Sequence, residues 1–339
     1  MVLKKRVMLK KSNFDSARIS VHRGRLFGAD KIEELANLKF EEVLRFLSEN
    51  GFSEEVEKAY SRYQGFYLIE KVLNDHLSKI YNKVLATSSK DNKLLLDEYY
   101  FKYQVHNLMA FIRCKISKEE DITPYLIGSS RKKDKFLKAF EMNNLDEAIS
   151  YLCKKLELET SSVIEMYKKS LYDLENYLYK TYYNRLNSYI FKYNSKDEVE
   201  FTKFIRKYVD LINARTFIKV GDASSDKVKF EEVYISGGNL NIDFFSKLSG
   251  SNHQKLLEEF SKVFSTTSNF EGFNTITELD KEISKHKEHG KKMFSKVRFG
   301  SPFYSLKYLF EVEREIAKLR IILKAKFLGL SKEEVLKLI

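Results

Sequence analysis

Proline is almost absent, with two residues in 339, and glycine numbers only 13. A chain with so few breakers is not a turn-rich β-sandwich or a repetitive fibre; long helices joined by few turns are the natural expectation. Cysteine occurs twice, as Cys114 and Cys153, and neither belongs to a metal-spaced pair. A disulfide framework is excluded, and both residues are read as buried small side chains. No run approaches the ~18 uncharged apolar residues of a membrane span, and the start, "MVLKKRVMLKKSNFD", carries no apolar signal core. The expectation is a soluble protein that stays inside the cell. Phosphate chemistry is missing too. There is no G-x-x-x-x-G-K-[ST] loop and no G-x-G-x-x-G, and "SGGN" at 236–239 lacks the spacing and the following lysine. Nothing pairs a nucleophile with a base. The expectation is no catalysis, no cofactor and no small-molecule substrate.

What the chain does have is charge. Charged residues make up 32%, hydrophobic ones 43%, and the formal net charge is +12. Basic runs stand at Lys4-Lys5-Arg6, Lys10-Lys11, Arg23 with Arg25, Arg131-Lys132-Lys133-Lys135 and along 281–298. Such a balance suits an acidic partner: nucleic acid, anionic headgroups or an acidic protein surface. The 21 tyrosines and 26 phenylalanines fall at helical spacing, as core residues do, rather than forming a stacking platform for bases. A basic helical nucleic-acid-binding protein is the competing class, carried by charge alone. At this length one core usually stops growing, so more than one lobe is expected.

Self-similarity is the strongest signal. "QVHNLMAFIRCK" (104–115), "DLINARTFIKVG" (210–221) and "EIAKLRIILKAK" (315–326) recur about every 105 residues with one apolar phase. Val105, Leu108 and Ile112, then Leu211, Ala214 and Ile218, then Ile316, Leu319 and Leu323 each lie on one helix face. Gln104, Asp210 and Glu315 edge that stripe, and Asn107, Asn213 and Lys318 follow one turn on. Arg113, Lys219 and Lys324 fall about half a turn from the first polar position, so acid or amide and base cannot share one small pocket on a helix. A second landmark, a glycine after an apolar pair, recurs in "LFGADKIEEL" (Gly28), "LIGSSRKKDKFL" (Gly128) and, more loosely, "ISGGNLNIDFF" (Gly238). It divides the chain into units 1–127, 128–237 and 238–339.

Within a unit the pattern predicts short helices (31–47, 145–157), then a long helix (63–85, 162–186, 275–297), then the motif helix. The short linker between the last two argues for antiparallel neighbours. Residues 227–239 read as a strand. Ser301-Pro302 offers an N-cap and a first-turn proline for the last motif helix, Gly329 stops it, and Ser331 with Glu334 forms a capping box for a final short helix.

A catalytic constellation does not recur three times with its polar atoms changed from amide to acid. Asp210 and Asn213 are therefore read as bonding a neighbouring helix end. His286 and His289 stand at a metal-compatible i, i+3 spacing, but no third ligand is near and Lys285, Lys287 and Lys291 oppose a cation. Paired acids such as Glu54-Glu55, Glu119-Glu120 and Glu231-Glu232 are read as solvated.

Asp210-x-x-Asn213 with Lys219, "YISGGNL" (234–240), "EREIAKLRIILKAKFLGLSKEEVLKLI" (313–339), "ARISVHRGRLFG" (17–28) and "DEYYFKYQVHNLMAFIRCK" (97–115) together resemble the C subunit of the A/V-type rotary ATPases, the counterpart of the d subunit in vacuolar pumps. Gln104 stands where that family usually has an acid, and Lys318 where it has asparagine. The resemblance implies an all-α protein of three similar units around a pseudo-threefold axis, funnel-shaped and without catalysis of its own. It implies a seat on the cytoplasmic face of the membrane, between the proteolipid (c/K) ring and the D and F subunits of the central shaft, with the stator membrane subunit as a further candidate partner. No nucleic acid is expected. Arg23, Arg25, Arg113 and Lys219 are the candidate contact residues.

Overall fold

The computed structural model describes residues 2–190, 196–221, 230–264, 272–294 and 297–339; the side chains of 2–12, 91, 189–190, 196–200, 221 and 287–294 are outside the description. Among the described residues every regular element is helical. In chain order they are α1 (Val2–Arg23), α2 (Ala29–Leu35), α3 (Phe40–Leu47), α4 (Ser53–Tyr60), α5 (Gly65–Thr87), α6 (Lys90–Ile116), α7 (Ser130–Phe140) and α8 (Leu145–Leu156). Next come α9 (Thr160–Lys169), α10 (Leu171–Ile190), α11 (Lys196–Gly221), α12 (Phe230–Val233), α13 (Ile242–Lys247), α14 (His253–Phe264) and α15 (Ile276–Phe294). Last are α16 (Phe303–Phe327) and α17 (Lys332–Leu338). They form two compact units, one of Met1–Glu157 with Arg298–Ile339, the other of Leu158–Val297.

The three motif helices are α6, α11 and α16, and their apolar stripes are buried as the periodicity requires: Val105, Leu108, Ile112, Leu211, Ala214, Ile218, Ile316, Leu319 and Leu323. Burying each Leu or Ile contributes ~1.5–3 kcal/mol. In the first unit α5 packs most extensively on α16, and in the second α15 packs on α11. The antiparallel pairing expected between a long helix and the motif helix that follows it is thus not the main packing of α5. It meets α6 through bulk, Tyr81 lying 5.2 Å from both Tyr100 and Tyr103 ring to ring. α16 meets α5 through Arg320 and Lys324 on Glu70 and through Phe327 against Phe66.

Two expectations fail locally. The helix read over 162–186 is broken at Ser170, whose backbone is extended (φ −166°, ψ 160°). Ser170 caps α10: its hydroxyl donates to Asp173 Oδ2 at 2.6 Å and accepts from the Asp173 N–H at 3.0 Å. The strand read over 227–239 is also overturned. Phe230–Val233 is a helical turn with Phe230 and Val233 buried on one side, followed by an irregular loop; 227–229 lie outside the described residues. The α17 capping box forms as expected, with Ser331 N–H on Glu334 Oε2 at 2.8 Å and Glu334 N–H on the Ser331 hydroxyl at 3.3 Å. At α16 the Ser301 hydroxyl accepts from Phe303 N–H at 3.2 Å, and Pro302 already has helical angles. Cys114 and Cys153 are both buried, as expected of small apolar side chains.

Candidate functional site

Four of the repeated polar residues, Asn107, Asp210, Asn213 and Glu315, hold the backbone of a loop. Asn107 on α6 clamps the backbone of Ile127, its Nδ2 donating to the carbonyl at 2.8 Å and its Oδ1 accepting from the N–H at 2.9 Å. Asn213 on α11 does the same to Ile235, at 2.8 and 2.9 Å. Each clamped residue leads into a glycine loop that enters a short helix, α7 or α13. An amide serves because it presents a donor and an acceptor side by side, matching one peptide unit. Both asparagines are buried, so each bond forms where water cannot substitute.

The loops differ in length and so in reinforcement. Before α7, the Tyr100 hydroxyl adds a bond to the Ile127 carbonyl at 2.8 Å, and Gly128 N–H reaches Ser78 Oγ at 2.8 Å. Gly128 has φ +139°, and a Cβ there would stand 2.3 Å from the Tyr100 hydroxyl. Before α13 the longer loop leaves extra amides, and Asp210 takes them. It accepts from Asn239 N–H at 3.0 Å, Leu240 N–H at 3.0 Å and Asn239 Nδ2 at 2.8 Å. A Cβ on Gly238 would lie 2.1 Å from Asp210 Oδ1, so the glycine is what lets the carboxylate approach. Burial nonetheless raises the Asp210 pKa, the loop amides and Arg206 pulling the other way.

In the third copy Lys318 replaces asparagine and has no acceptor to offer. Glu315, one turn earlier, instead accepts from the N–H of Phe27, the residue before Gly28. Burial pushes its carboxyl up to about 7. In the first copy Gln104 is buried beside the Tyr100 hydroxyl, but that hydroxyl is given to Ile127 and neither amide atom of Gln104 completes a hydrogen bond.

The candidate contact cations have varied surroundings. Arg23 forks onto Glu311 of α16, at 2.5 and 2.7 Å. Lys324 bonds Glu70 at 2.7 Å and lies near the Phe66 ring. Lys219 is half-buried with its ammonium 5.9 Å from the Tyr172 ring centre. Arg25 and Arg113 are exposed, and Lys318 is half-buried. His286 stacks on Phe204 at 4.5 Å and bonds its carbonyl oxygen at 2.9 Å, as a packed histidine does; the His289 side chain is outside the described residues. Among the described residues no group of three or more His, Cys, Asp or Glu could hold a metal ion.

Glu55, expected to be solvated, is buried. It pairs with Lys79 at 2.8 Å and faces His76 at 3.7 Å, and those partners outweigh burial to hold its pKa at about 2. Sequence reasoning also missed Glu313, which accepts from Tyr81 at 2.7 Å, Tyr99 at 3.0 Å and Lys102 at 2.6 Å. The only signal was the run of acids at 311, 313 and 315, which alternate around a helix and so meet different neighbours.

Polar groups that hold loops, with aromatic and ion-pair seams between helices, define the described residues as an all-helical structural body. Comparison with known proteins agrees. The family model for the ATP synthase (C/AC39) subunit matches residues 16–338, so the chain belongs to that family. It is similar to the A-type ATP synthase C subunit of Methanococcoides burtonii, 24% identical over 94% of this chain and 91% of that one. The Methanosarcina barkeri protein of the same name is 26% identical over 95% and 91%, and that of Halobacterium salinarum 24% over 94% and 94%. The chain is thus a rotary ATPase subunit and not an enzyme in its own right. No helix among the described residues is long and apolar enough to cross a membrane.

Proposed function

We propose that this chain is the central-stalk coupler of an A/V-type rotary ATPase, a socket joining the D and F subunits of the shaft to the proteolipid ring at the cytoplasmic face of the membrane. Ion flow through the ring and ATP turnover at the shaft then become one rotation. The observation that carries this reading is the loop clamp repeated down the chain, at Asn107, Asn213 and, in altered form, Glu315. A body transmitting torque must resist shear, and buried backbone clamps resist it without any moving part. The pattern supports three similar units, 1–127, 128–237 and 238–339, around a pseudo-threefold funnel, with each motif helix holding the next glycine loop and α16 holding the first.

Arg25, which is exposed, suits a polar rim against a partner, whereas Arg23 and Lys324 already serve α16 and α5. Exposed ion pairs contribute only ~0–1 kcal/mol and weaken with salt; desolvated ones cost ~2–5 kcal/mol to break. If the shaft joint is enclosed and the ring joint spread over a rim, the shaft joint is expected to outlast the ring joint in a salt series. Equal sensitivity of the two joints would count against that arrangement. The reading as a whole is tested by tagging the chain in its native host, solubilising membranes gently and identifying what co-purifies. Stoichiometric proteolipid and shaft subunits are expected. Nucleic acid in their place would overturn the coupler and promote the basic-face alternative.

A further inference from the structure

Along α1 two rows of residues recur every seven positions. Val7, Phe14 and Val21 make an apolar row; Lys4, Lys11, Arg18 and Arg25 make a basic one beside it, with Arg25 in the turn just past the helix. A seven-residue apolar period with one sign of charge on its flank is the pattern of a helix that coils against another helix. The fold does not supply that other helix.

The inner side of α1 is fully used. Asp15 accepts from Ser89 N–H at 3.0 Å and from Asn92 Nδ2 at 2.9 Å, Ser16 Oγ accepts from Gly300 N–H at 2.9 Å, Ile19 is buried, and Arg23 forks onto Glu311. Phe14 and Val21 lie on the opposite face, 56% and 63% exposed. The Arg18 guanidinium sits over the Phe14 ring at 4.3 Å, and among the described residues neither Arg18 nor Arg25 has an acid within ion-pair distance. On the flank away from these cations Asn13 lies against Gly300, Ser20 meets the Tyr304 hydroxyl at 2.9 Å, and the exposed Phe299 ring stands 5.7 Å from Tyr304. The outer face is therefore a narrow apolar strip with unpaired cations along one edge.

We propose that this face of α1 is the docking surface for an acidic amphipathic α-helix of another chain, laid alongside so that its apolar seam covers Phe14 and Val21 and its carboxylates meet Arg18 and Arg25. Width and charge select that occupant. The apolar row is one residue wide, with only the small Ala17 beside it, whereas a helix that lies in a lipid surface needs a broad apolar face. A second copy of this chain would bring the same cations, and the other flank of the strip, Asn13 and Ser20, has no acid to receive them. An acidic helix supplies what both of these lack, since opposite charges beside an apolar seam are what choose a coiling partner. The surface belongs to α1 whether or not the chain couples a rotor.

The test uses the intact chain and a dye-labelled synthetic peptide of repeated heptads, with Leu at both seam positions and Glu at both flanking ones, followed by fluorescence anisotropy. The comparison probes are the same peptide with Lys in place of Glu, and phosphatidylcholine vesicles with and without phosphatidylglycerol. The Glu peptide should bind saturably and one to one, and the Lys peptide should not bind. Phe14→Ser with Val21→Ser should weaken the Glu peptide by about tenfold or more, as truncating the centre of an interface does. Arg18→Glu with Arg25→Glu should do the same and create affinity for the Lys peptide. All four side chains are exposed or at the surface turn, so these variants should keep the wild-type circular dichroism, while Arg131→Glu with Lys138→Glu on α7 should leave binding unmoved. Binding that survives the loss of Phe14 and Val21, or that falls equally with the α7 pair, would reduce the contact to bulk charge and overturn the docking surface. Capture by phosphatidylglycerol vesicles without binding of the Glu peptide would overturn it in favour of lipid.

Discussion

The loops before α7 and α13 are held by the same asparagine geometry, 2.8 Å to the carbonyl and 2.9 Å to the N–H in both, while the loop before α2 is held by an acid one turn displaced. The difference teaches that what is repeated is the task, capturing the backbone ahead of a glycine, and that side-chain identity varies around it. Asparagine satisfies an N–H and a C=O at once. Glutamate satisfies the N–H alone and brings a charge that the buried seam resists. The asparagine clamps should therefore behave as rigid, pH-independent fixtures and the glutamate as the soft one.

The largest effect should come from removing a clamp outright. Asn107→Ala or Asn213→Ala leaves both polar groups of a buried peptide unit without their side-chain partner, apart from the Tyr100 bond to the Ile127 carbonyl. Each should cost ~2–4 kcal/mol in denaturant unfolding, with Asn213→Ala the worse because Ile235 has no tyrosine in reserve. A loss under ~1 kcal/mol from both would break the comparison. Gly128→Ala, which needs both a left-handed backbone and the room taken by Tyr100, should cost ~2–3 kcal/mol; Gly128→Ala in a Tyr100→Phe background should recover part of it. Asp210→Asn keeps two acceptor lone pairs but gives up the charge-assisted bonds to Asn239 and Leu240, for ~1–2 kcal/mol at pH 7. The smallest effect, and one of opposite sign, is expected at Gln104. Replacing its two unpaired amide atoms with Gln104→Leu should leave stability unchanged or raise it by up to ~1 kcal/mol.

Much of this architecture is legible in the sequence. The spacing of Leu108, Ala214 and Leu319 places the motif helices, and the order amide then glycine marks where they reach. The reading that Asp210 and Asn213 bond a neighbouring helix end matches their hydrogen bonds to the loop entering α13. The break at Ser170 is hidden because apolar periodicity runs straight through it, although Ser170 and Asp173 have capping spacing. Residues 230–235 look strand-like from their β-branched and aromatic content, yet Phe230 and Val233 are three apart, a helical interval. The preference of α5 for α16 cannot be read at all, since more than two hundred residues separate them in the chain and only tertiary packing decides the match. Glu315 as a stand-in for asparagine is equally hidden, because it requires knowing that Phe27 lies against α16.

Hydrogen exchange at the Ile127 and Ile235 amides, in the wild-type chain and in Asn107→Ala, tests the central claim most directly. The account predicts that both amides exchange as slowly as the cores of α6 and α11 in the wild type, and that Asn107→Ala frees Ile127 while Ile235 stays protected. Loop amides that exchange at surface rates in the wild-type chain, or an Ile127 amide indifferent to the loss of Asn107, would contradict it.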